Sequence, residues 1–575
     1  MSSAARDPLP PAATKPPPRP FAESGAAWIV TVLLAAGVVG SVLSAWPLPP
    51  TDPLDFFQPK TAMVIIASFV AAAVYVAHER DSWLDAETGA LLLFLVLGGT
   101  SVLTVATNRS LAWSSLGTSA SGGLFFVIAR GLPSGTRRVL LTTVISTLLL
   151  AALIAALEAN GLTPRLSALH RVPGGPLGNR NSLSHLLVLG LPATACLALG
   201  DPRRWRVLAL ASALTSGYVV VIARSRGAWL GAALVIALTA ALVLHVVPRT
   251  GNGSIRRRGA AVLLAWVLGG TAALILPNSL RWNSPHPYRD TLWGLVEADS
   301  GSGRGRLIQY ETSLLMAKAY WPLGVGPGNW PVQYPRFAEA NDPSVHLKSY
   351  EPTNRYPSSD WVAVLSERGL FAFALLVLVA LRLFVRAGRT LLRAPRADDA
   401  LAGGAAAALL MVTTWLGAID AVLITPAAAC VTAVLLGTLL PRRPGDTWCP
   451  PALGRHLSGA VRWCGVALLL AFGVLGTSRE VALLVIRHAA GTASNLDAIE
   501  AQALRFAADD YPTRMTLGVR WSVARQCDRA EPHLSAASRL LPAASAPGEI
   551  ASRCRLREKR LSGGARTVEQ AVPGG

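Results

Sequence analysis

Long apolar runs alternate with short polar segments along most of the chain. A helix needs about 20 apolar residues to cross a hydrocarbon core about 30 Å thick, and most of the runs approach or exceed that length. The pattern predicts an all-α polytopic membrane protein with about 12–14 transmembrane helices, the range reflecting weak boundaries at 399–440. The predicted spans are 26–46, 61–78, 88–106, 111–130, 138–157, 182–199, 204–223, 227–247, 259–276, 370–386, 399–421, 424–440 and 461–477.

The polar segments predict the orientation of these spans. If the N-terminus lies inside, the inner loops are all rich in arginine, as the positive-inside rule requires. These loops are 130–138, 200–206, 248–259, 386–396 and 441–448. The predicted division is a disordered cytoplasmic tail (1–25), helices 1–9 (26–276), a large outer loop (277–358), helices 10–13 (359–477) and an outer helical segment (478–575).

The last of these segments is the least defined by sequence. The stretch "AEPHLSAASRLLP" resembles the second helix of a tetratricopeptide unit, although an irregular helical tail fits equally well. Cys527 and Cys554 both fall in it, so a disulfide is allowed if the segment lies outside. The cysteines show no CxxC pair and no Cys/His cluster, so neither a metal nor another cofactor is expected.

Composition narrows the choice of partner. The net charge is +20, yet only 15% of residues are charged and 52% are hydrophobic. Because the basic residues cluster in short loops between apolar runs, they indicate anionic lipid and insertion orientation, and a nucleic-acid partner is not expected.

Several arginines depart from this pattern because they stand at the predicted outer ends of spans. Arginine at a membrane edge is costly, so it usually has a partner or a function. Snorkelling to lipid phosphates would explain any one of them. Several on one side favour convergence on an anionic ligand. They are Arg180, Arg224, Arg226, Arg304 and Arg306.

Four stretches carry these arginines or accompany them in a fixed order. Together they resemble the O-antigen ligase and polymerase family of bacterial envelope glycosyltransferases, over roughly 174–385. The stretches are "GGPLGNRNSLSHLLVLGLP" (174–192), "ARSRGAWLGA" (223–232), "GRGRLIQYETSLLMAKAYWPLGVGPGNWPVQYPRF" (303–337) and "SSDWVAVLSERGLFA" (358–372).

The resemblance implies transfer of a glycan from an undecaprenyl-diphosphate carrier to an acceptor hydroxyl at the periplasmic face of the bacterial inner membrane. The expected partners are that carrier-linked glycan, an acceptor glycan or lipid A core, and membrane lipid. Arg226 and Arg306 match the family's arginines, and Tyr310 stands where tryptophan is more usual. A guanidinium binds phosphate oxygens in a bidentate way, which suits a diphosphate leaving group. Arg224 and Arg304 are secondary candidates.

Two polar turns provide further candidates for substrate binding. The turn "PLGVGPGNW" (322–330) has no GK[ST] and therefore no nucleotide signature, but its family equivalent lies beside the active cleft, which makes Gly326 and Asn329 candidates. A plain Gly/Pro turn explains the same letters. Asn179 and Asn181 would hold a loop or touch the diphosphate together with Arg180, and a helix-capping role is expected for Asn181.

The fourth motif departs from the family at one position. Ser358 and Ser359 stand where a histidine and a small polar residue are usual, and serine cannot act as the general base that such a histidine would supply. Asp360 and His346 are the candidate replacements. A serine N-cap with Asp360 in the first helical turn explains "PSSD" without any catalytic role.

The sequence therefore leaves two classes open. The first is a ligase or polymerase of lipid-linked glycans, which relies on arginines and an alternative base. The second is a non-catalytic or transport protein for the same carriers. Transporters often show internal repeats and polar residues near the membrane midplane, whereas here no repeat is visible and the arginines stand at one face.

Overall fold

The computed structural model of the chain describes residues 25–45, 53–78, 85–163, 171–200, 203–294, 301–346, 351–443, 446, 459–488 and 495–569. The predicted tail 1–25 lies outside these residues except for its last position. The helices are α1 (Gly25–Leu43), α2 (Pro53–His78), α3 (Ala86–Thr104), α4 (Arg109–Gly131), α5 (Ser134–Ala159), α6 (Arg180–Gly200), α7 (Arg203–Ile222), α8 (Arg226–Thr250), α9 (Gly253–Ile275), α10 (Pro287–Trp293), α11 (Gly301–Ala319), α12 (Trp330–Gln333), α13 (Asp360–Arg393), α14 (Ala397–Ile419), α15 (Pro426–Leu439), α16 (Gly459–His488), α17 (Leu496–Ala507), α18 (Tyr511–Val523), α19 (Cys527–Leu540) and α20 (Ala546–Glu569).

The prediction of an all-α polytopic membrane protein is confirmed. Within the described residues, 12 helices are long and apolar enough to cross a membrane, namely α1–α9, α13, α14 and α16. Helix α15 has only 14 residues, or about 21 Å at 1.5 Å per residue. It nevertheless connects the same two ends of the bundle, because Ile424 before it donates to Asp360 and Arg442 after it donates to the Arg130 carbonyl.

One end of the bundle carries the basic loops. Hydrogen bonds join helix ends there: Arg258 on α9 donates to the Leu199 carbonyl on α6, and Arg249 on α8 donates to the Leu392 carbonyl on α13. Buried Arg130 lies 3.2 Å from Asp85 and 2.9 Å from Glu87 at the same end. The opposite end is called here the loop-rich end. Its described residues are 105–108, 160–163, 171–179, 223–225, 276–294, 301–346, 351–359 and 420–425.

Helix α6 lies at the centre of the bundle, and nearly all of its residues are buried. Its first turn is at the loop-rich end, so the polar residues of the first motif are held by a helix that is enclosed along most of its length.

The C-terminal helices α17–α20 pack into a small core of their own at the loop-rich end. This core also includes Val332 from the 277–358 segment and Ile486 from α16. Arg479 on α16 forms a 2.7 Å ion pair with Asp510, which is fully buried. A disulfide joins Cys527 to Cys554, the pair that the sequence allowed.

Helix α13 is kinked at Gly369, and the turn 322–330 docks into the kink. The kink frees backbone groups of α13, so Val325 N–H donates to Ser366 O at 3.0 Å and Leu370 N–H donates to Pro322 O at 3.1 Å. Gly369 has φ +77°, and a Cβ there would lie 1.8 Å from the Pro322 oxygen. This docking fixes where α13 begins, and therefore where the fourth motif stands.

Candidate functional site at the loop-rich end

Trp282, in the loop after α9, brings the first two motifs together. The guanidinium carbon of Arg180 lies 5.0 Å from the Trp282 ring centroid, and that of Arg224 lies 4.6 Å from the same centroid. Cation–π contacts of this kind hold a guanidinium in place without neutralising its charge. Arg180 at the start of α6 and Arg224 before α8 are therefore held on the same ring.

The short helix α10 holds the arginines of the second motif from the other side. Arg224 Nε donates to Thr291 Oγ1 at 2.9 Å, and Arg226 Nη1 donates to Gly294 O at 2.7 Å. A Cβ at Gly294 would lie 2.4 Å from the Arg226 guanidinium, so a side chain there would displace the guanidinium from this position. Both partners are neutral, and each guanidinium keeps donors for another ligand.

The positive charge of this group has no paired carboxylate within the part of the chain that the structure describes. No ion pair joins Arg180, Arg224, Arg226 or Arg306 to a carboxylate of the described residues. Asp290 interacts electrostatically with Arg224 without forming such a pair. Partly buried arginines without counter-ions are unusual, because a desolvated charge is normally paired. The arrangement is therefore suited to an anionic ligand.

Helix α11 connects the third motif to the fourth. The Tyr310 hydroxyl donates to Ser358 O at 2.7 Å and lies 3.0 Å from Ala418 O. Gln309, one position earlier, accepts the Ser358 backbone N–H. Burial raises the pKa of Tyr310, so its hydroxyl stays protonated and remains a donor. Arg306, one turn before Tyr310, therefore lies beside the start of α13.

Ser359 and Asp360 are used by the fold. Ser359 caps α13, its side chain accepting the Val362 N–H, and its hydroxyl also donates to Gly417 O at 3.0 Å. The Asp360 carboxylate accepts three backbone N–H groups from residues 422–424, at 2.8–3.1 Å. The capping interpretation of "PSSD" describes this geometry, and Asp360 orders the loop between α14 and α15.

A histidine that the sequence analysis did not single out lies at the centre of the site. His185 Nδ1 is 3.8 Å from Asp420 Oδ2, and His185 Nε2 is 3.3 Å from Ser225 Oγ. Arg306 interacts electrostatically with the same imidazole. His185 is only 3% exposed. These contacts therefore bring together residues of the first, second and third motifs and of the loop after α14.

Two signals in the sequence point to this pair. His185 closes the stretch "GNRNSLSH" at the mouth of an apolar run, and Asp420 is the only charged residue between Asp399 and Arg442. An ionisable residue inside an apolar run is a functional candidate by default.

The remaining candidates are divided between the site and the fold. Asn179 accepts the Asn181 N–H at 2.9 Å and so caps α6, a role the sequence analysis gave to Asn181. Asn329 is fully buried and pairs with the backbone of Asn108 at 2.8 and 3.2 Å. Gly326 has φ +95° and abuts Ala106, so both turn residues act in packing.

Two candidates lie on the surface. Arg304 is exposed at the start of α11. His346 is also exposed; its backbone N–H donates to Pro352 O, and no contact of its ring with Arg226, Arg306 or Ser358 is found among the described residues. The described residues likewise contain no group of three or more His, Cys, Asp or Glu side chains able to hold a metal ion.

These features define a multi-pass helical membrane protein with an arginine-rich site at one end of the bundle. Residues 210–377 match the family model described as O-antigen ligase, which confirms the resemblance of this part of the chain to the O-antigen ligase/polymerase family. The match contains the second, third and fourth motifs, whereas the first motif with His185 lies before it. No curated protein matches the chain significantly.

Proposed function

We propose that this protein transfers a glycan from undecaprenyl diphosphate to an acceptor hydroxyl, as an O-antigen ligase or a polysaccharide polymerase. One observation carries the proposal: arginines from three motifs meet at one end of the bundle with no carboxylate partner among the described residues. A lipid diphosphate is the anionic substrate that we assign to this group of arginines, because a guanidinium binds phosphate oxygens in a bidentate way.

The arginines stabilise the leaving group. Arg226 and Arg306 bind the diphosphate oxygens, and Arg180 and Arg224, held on Trp282, add positive charge beside them. Charge develops on the diphosphate as the bond to the sugar breaks, so donors already in position lower the barrier. A guanidinium suits this role since it stays charged at any pH that the protein meets.

His185 supplies the base that Ser358 cannot. The acceptor oxygen bonds to the anomeric carbon, the bond from that carbon to the diphosphate oxygen breaks, and the acceptor proton passes to His185 Nε2 with the Ser225 hydroxyl as the adjoining group. Asp420 at Nδ1 orients the ring and stabilises its protonated form. Undecaprenyl diphosphate leaves with the electron pair.

The loop-rich end faces the periplasm in this proposal. The arginine-rich loops gather at the other end, as expected for a cytoplasmic face. The Cys527–Cys554 disulfide lies in the C-terminal segment at the loop-rich end, and disulfides persist in oxidising compartments such as the periplasm. The 277–358 and 478–575 segments are then both periplasmic.

Deletion of the gene, followed by complementation with wild type, Arg226→Ala or Arg306→Ala, tests the proposal when surface polysaccharide is resolved by length. Loss of long chains with single units still attached to the acceptor identifies a polymerase. Accumulation of long chains on the carrier identifies a ligase. An unchanged polysaccharide profile in the deletion strain contradicts both.

A further inference from the structure

A cavity of about 120 Å³ lies at the loop-rich end, and its lining contains none of the arginines of the proposed site. Three parts of the chain meet around it: the outer ends of α2 and α4, the 328–332 and 351–356 stretches, and the C-terminal helices that follow α16. The cavity is therefore completed by a segment that lies outside the matched family region.

Two buried polar side chains in its lining have unused hydrogen-bonding capacity. Gln58 and Glu480 are each 2% exposed. No described residue accepts a hydrogen bond from Gln58 Nε2, and none donates to Glu480 Oε2. Glu480 Oε1, in contrast, accepts hydrogen bonds from Ser114 Oγ at 2.9 Å and from Arg479 Nη1 at 3.1 Å. Leaving a buried polar atom unpaired is costly, so one donor and one acceptor are available for a ligand.

The charged side chains that line the cavity are two glutamates and two arginines, and Asp510, outside the lining, also pairs with Arg479. Glu351 is 3.4 Å from Arg355, and Glu480 is 3.1 Å from Arg479. A charged ligand would meet one group of its own sign at either pair. The electrostatics therefore favour a neutral ligand, in contrast to the arginine site.

Aromatic rings supply the remaining walls. Phe57 and Tyr356 pack edge to face with centroids 6.3 Å apart, and Tyr511 enters from the C-terminal segment. Burial raises the pKa of Tyr356, so its hydroxyl stays neutral. A pyranose ring has apolar C–H faces and hydroxyl groups around its edge. Aromatic walls with a single donor and a single acceptor are suited to bind such a ring.

The cavity adjoins the reacting end of the proposed site. Tyr356 stands two residues before Ser358, and Ile424 lines the cavity while its N–H donates to Asp360.

We infer that this cavity binds a neutral sugar ring of the acceptor glycan, with Gln58 Nε2 donating to one hydroxyl and Glu480 Oε2 accepting from another. The inference rests on the proposed function for the identity of the glycan as acceptor. It assigns the C-terminal segment a part in choosing that acceptor, through Tyr511 and the end of α16.

Saturation-transfer difference NMR on the full-length chain in lipid nanodiscs tests this binding, with free glucose, galactose and N-acetylglucosamine as probes and no sugar-based detergent. At least one sugar is expected to give a signal with wild type. In Gln58→Met the same sugar should bind about three- to ten-fold more weakly, the loss expected for one hydrogen bond. Thermal stability should be unchanged, because Gln58 Nε2 has no partner in the fold.

Gln333→Met is the matched control. Gln333 is a buried glutamine at the same end whose amide donates to Thr107 Oγ1 at 2.8 Å. Its replacement should lower stability and leave sugar binding per folded molecule intact.

Two results would overturn the inference: no signal from any of the three sugars, or equal binding by wild type and Gln58→Met. In either case the cavity holds water only. Both readouts are independent of transfer. Transfer without sugar binding removes the inference and keeps the proposed function, whereas binding without transfer removes the proposed function and keeps a glycan site.

Discussion

His185 on α6 and Asp420 after α14 face each other with Nδ1 3.8 Å from Oδ2, although 235 residues separate them in the chain. Each belongs to an otherwise apolar stretch, and each reaches the loop-rich end where the arginines gather. This pair answers the question raised by Ser358, because it offers an imidazole with an orienting carboxylate on the same side of the membrane bundle.

Replacement of His185 tests its role as base. His185→Gln keeps a side chain that can hydrogen-bond to Ser225 but cannot take up a proton, so transfer should fall by roughly 10²–10⁴-fold, the usual worth of general-base catalysis. Asp420→Asn should reduce transfer by a smaller factor. The double variant should transfer no more slowly than His185→Gln alone, because the two residues act as one unit.

The readout for these variants is carrier-linked glycan consumed per folded molecule, with folding checked by size-exclusion chromatography. His245→Ala is the control, since that histidine lies near the C-terminal end of α8, whereas Arg226 of the site lies at its start. Full transfer by a well-folded His185→Gln variant would remove His185 from the mechanism.

The arginines should differ from one another in a definite order. Arg226→Ala and Arg306→Ala should each reduce transfer by about 10²-fold or more, the cost of removing one transition-state donor. Lysine at either position should restore only part of the rate, because an ammonium lacks the planar fork. Arg336→Ala, which changes an exposed arginine of the same loop segment, should retain wild-type transfer. Equal activity of all of these variants would exclude the clamp.

The kink of α13 yields a prediction about stability. Gly369→Ala places a side chain at φ +77° and 1.8 Å from the Pro322 oxygen, so it should destabilise the protein by about 2 kcal/mol or more. Gly388→Ala in the same helix meets no atom within 4 Å and should change stability by about 0–1 kcal/mol, in the favourable direction. Thermal unfolding in detergent compares the two, and similar melting temperatures would mean that the turn 322–330 does not hold the kink.

Asp360 should prove to be a positioning residue. Asp360→Asn replaces a carboxylate that accepts three backbone N–H groups with an amide that has a single acceptor oxygen. We expect a loss of about 1–3 kcal/mol in stability, the range for unsatisfied buried groups. Activity per folded molecule should stay within about ten-fold of wild type, whereas loss of a base would cost 10²-fold or more. A stable but inactive Asp360→Asn variant would assign the base role to Asp360.

The helices were predictable because apolar length is a direct physical requirement of a membrane. The structure begins α2 at Pro53, not near residue 61, since a polar first turn gives no hydropathy signal. It extends α13 over Asp360–Arg393, well beyond the apolar run at 370–386, for the same reason. Helix α15, short and buried, was the weakest boundary in the sequence.

The candidate arginines stand out in the sequence, whereas their partners in the structure do not. Charge at the predicted outer ends of spans and the resemblance to the family single out Arg226 and Arg306 as candidates. Trp282 lies in an irregular loop, and its position in the sequence relative to Arg180 and Arg224 does not predict that both arginines pack on its ring. Asn329 pairs with Asn108 across 221 residues, a contact that only the packed turn creates, and this is why a packing residue looked like a ligand residue.

A transfer assay in proteoliposomes tests the central claim most directly. Purified wild-type protein is supplied with undecaprenyl-diphosphate-linked glycan, labelled in the sugar, and with an acceptor glycan. The account predicts that label leaves the carrier for the acceptor, that undecaprenyl diphosphate appears in equal amount, and that Arg306→Ala abolishes both. Label that stays on its carrier while crossing to the other leaflet would contradict the account and identify a transport protein.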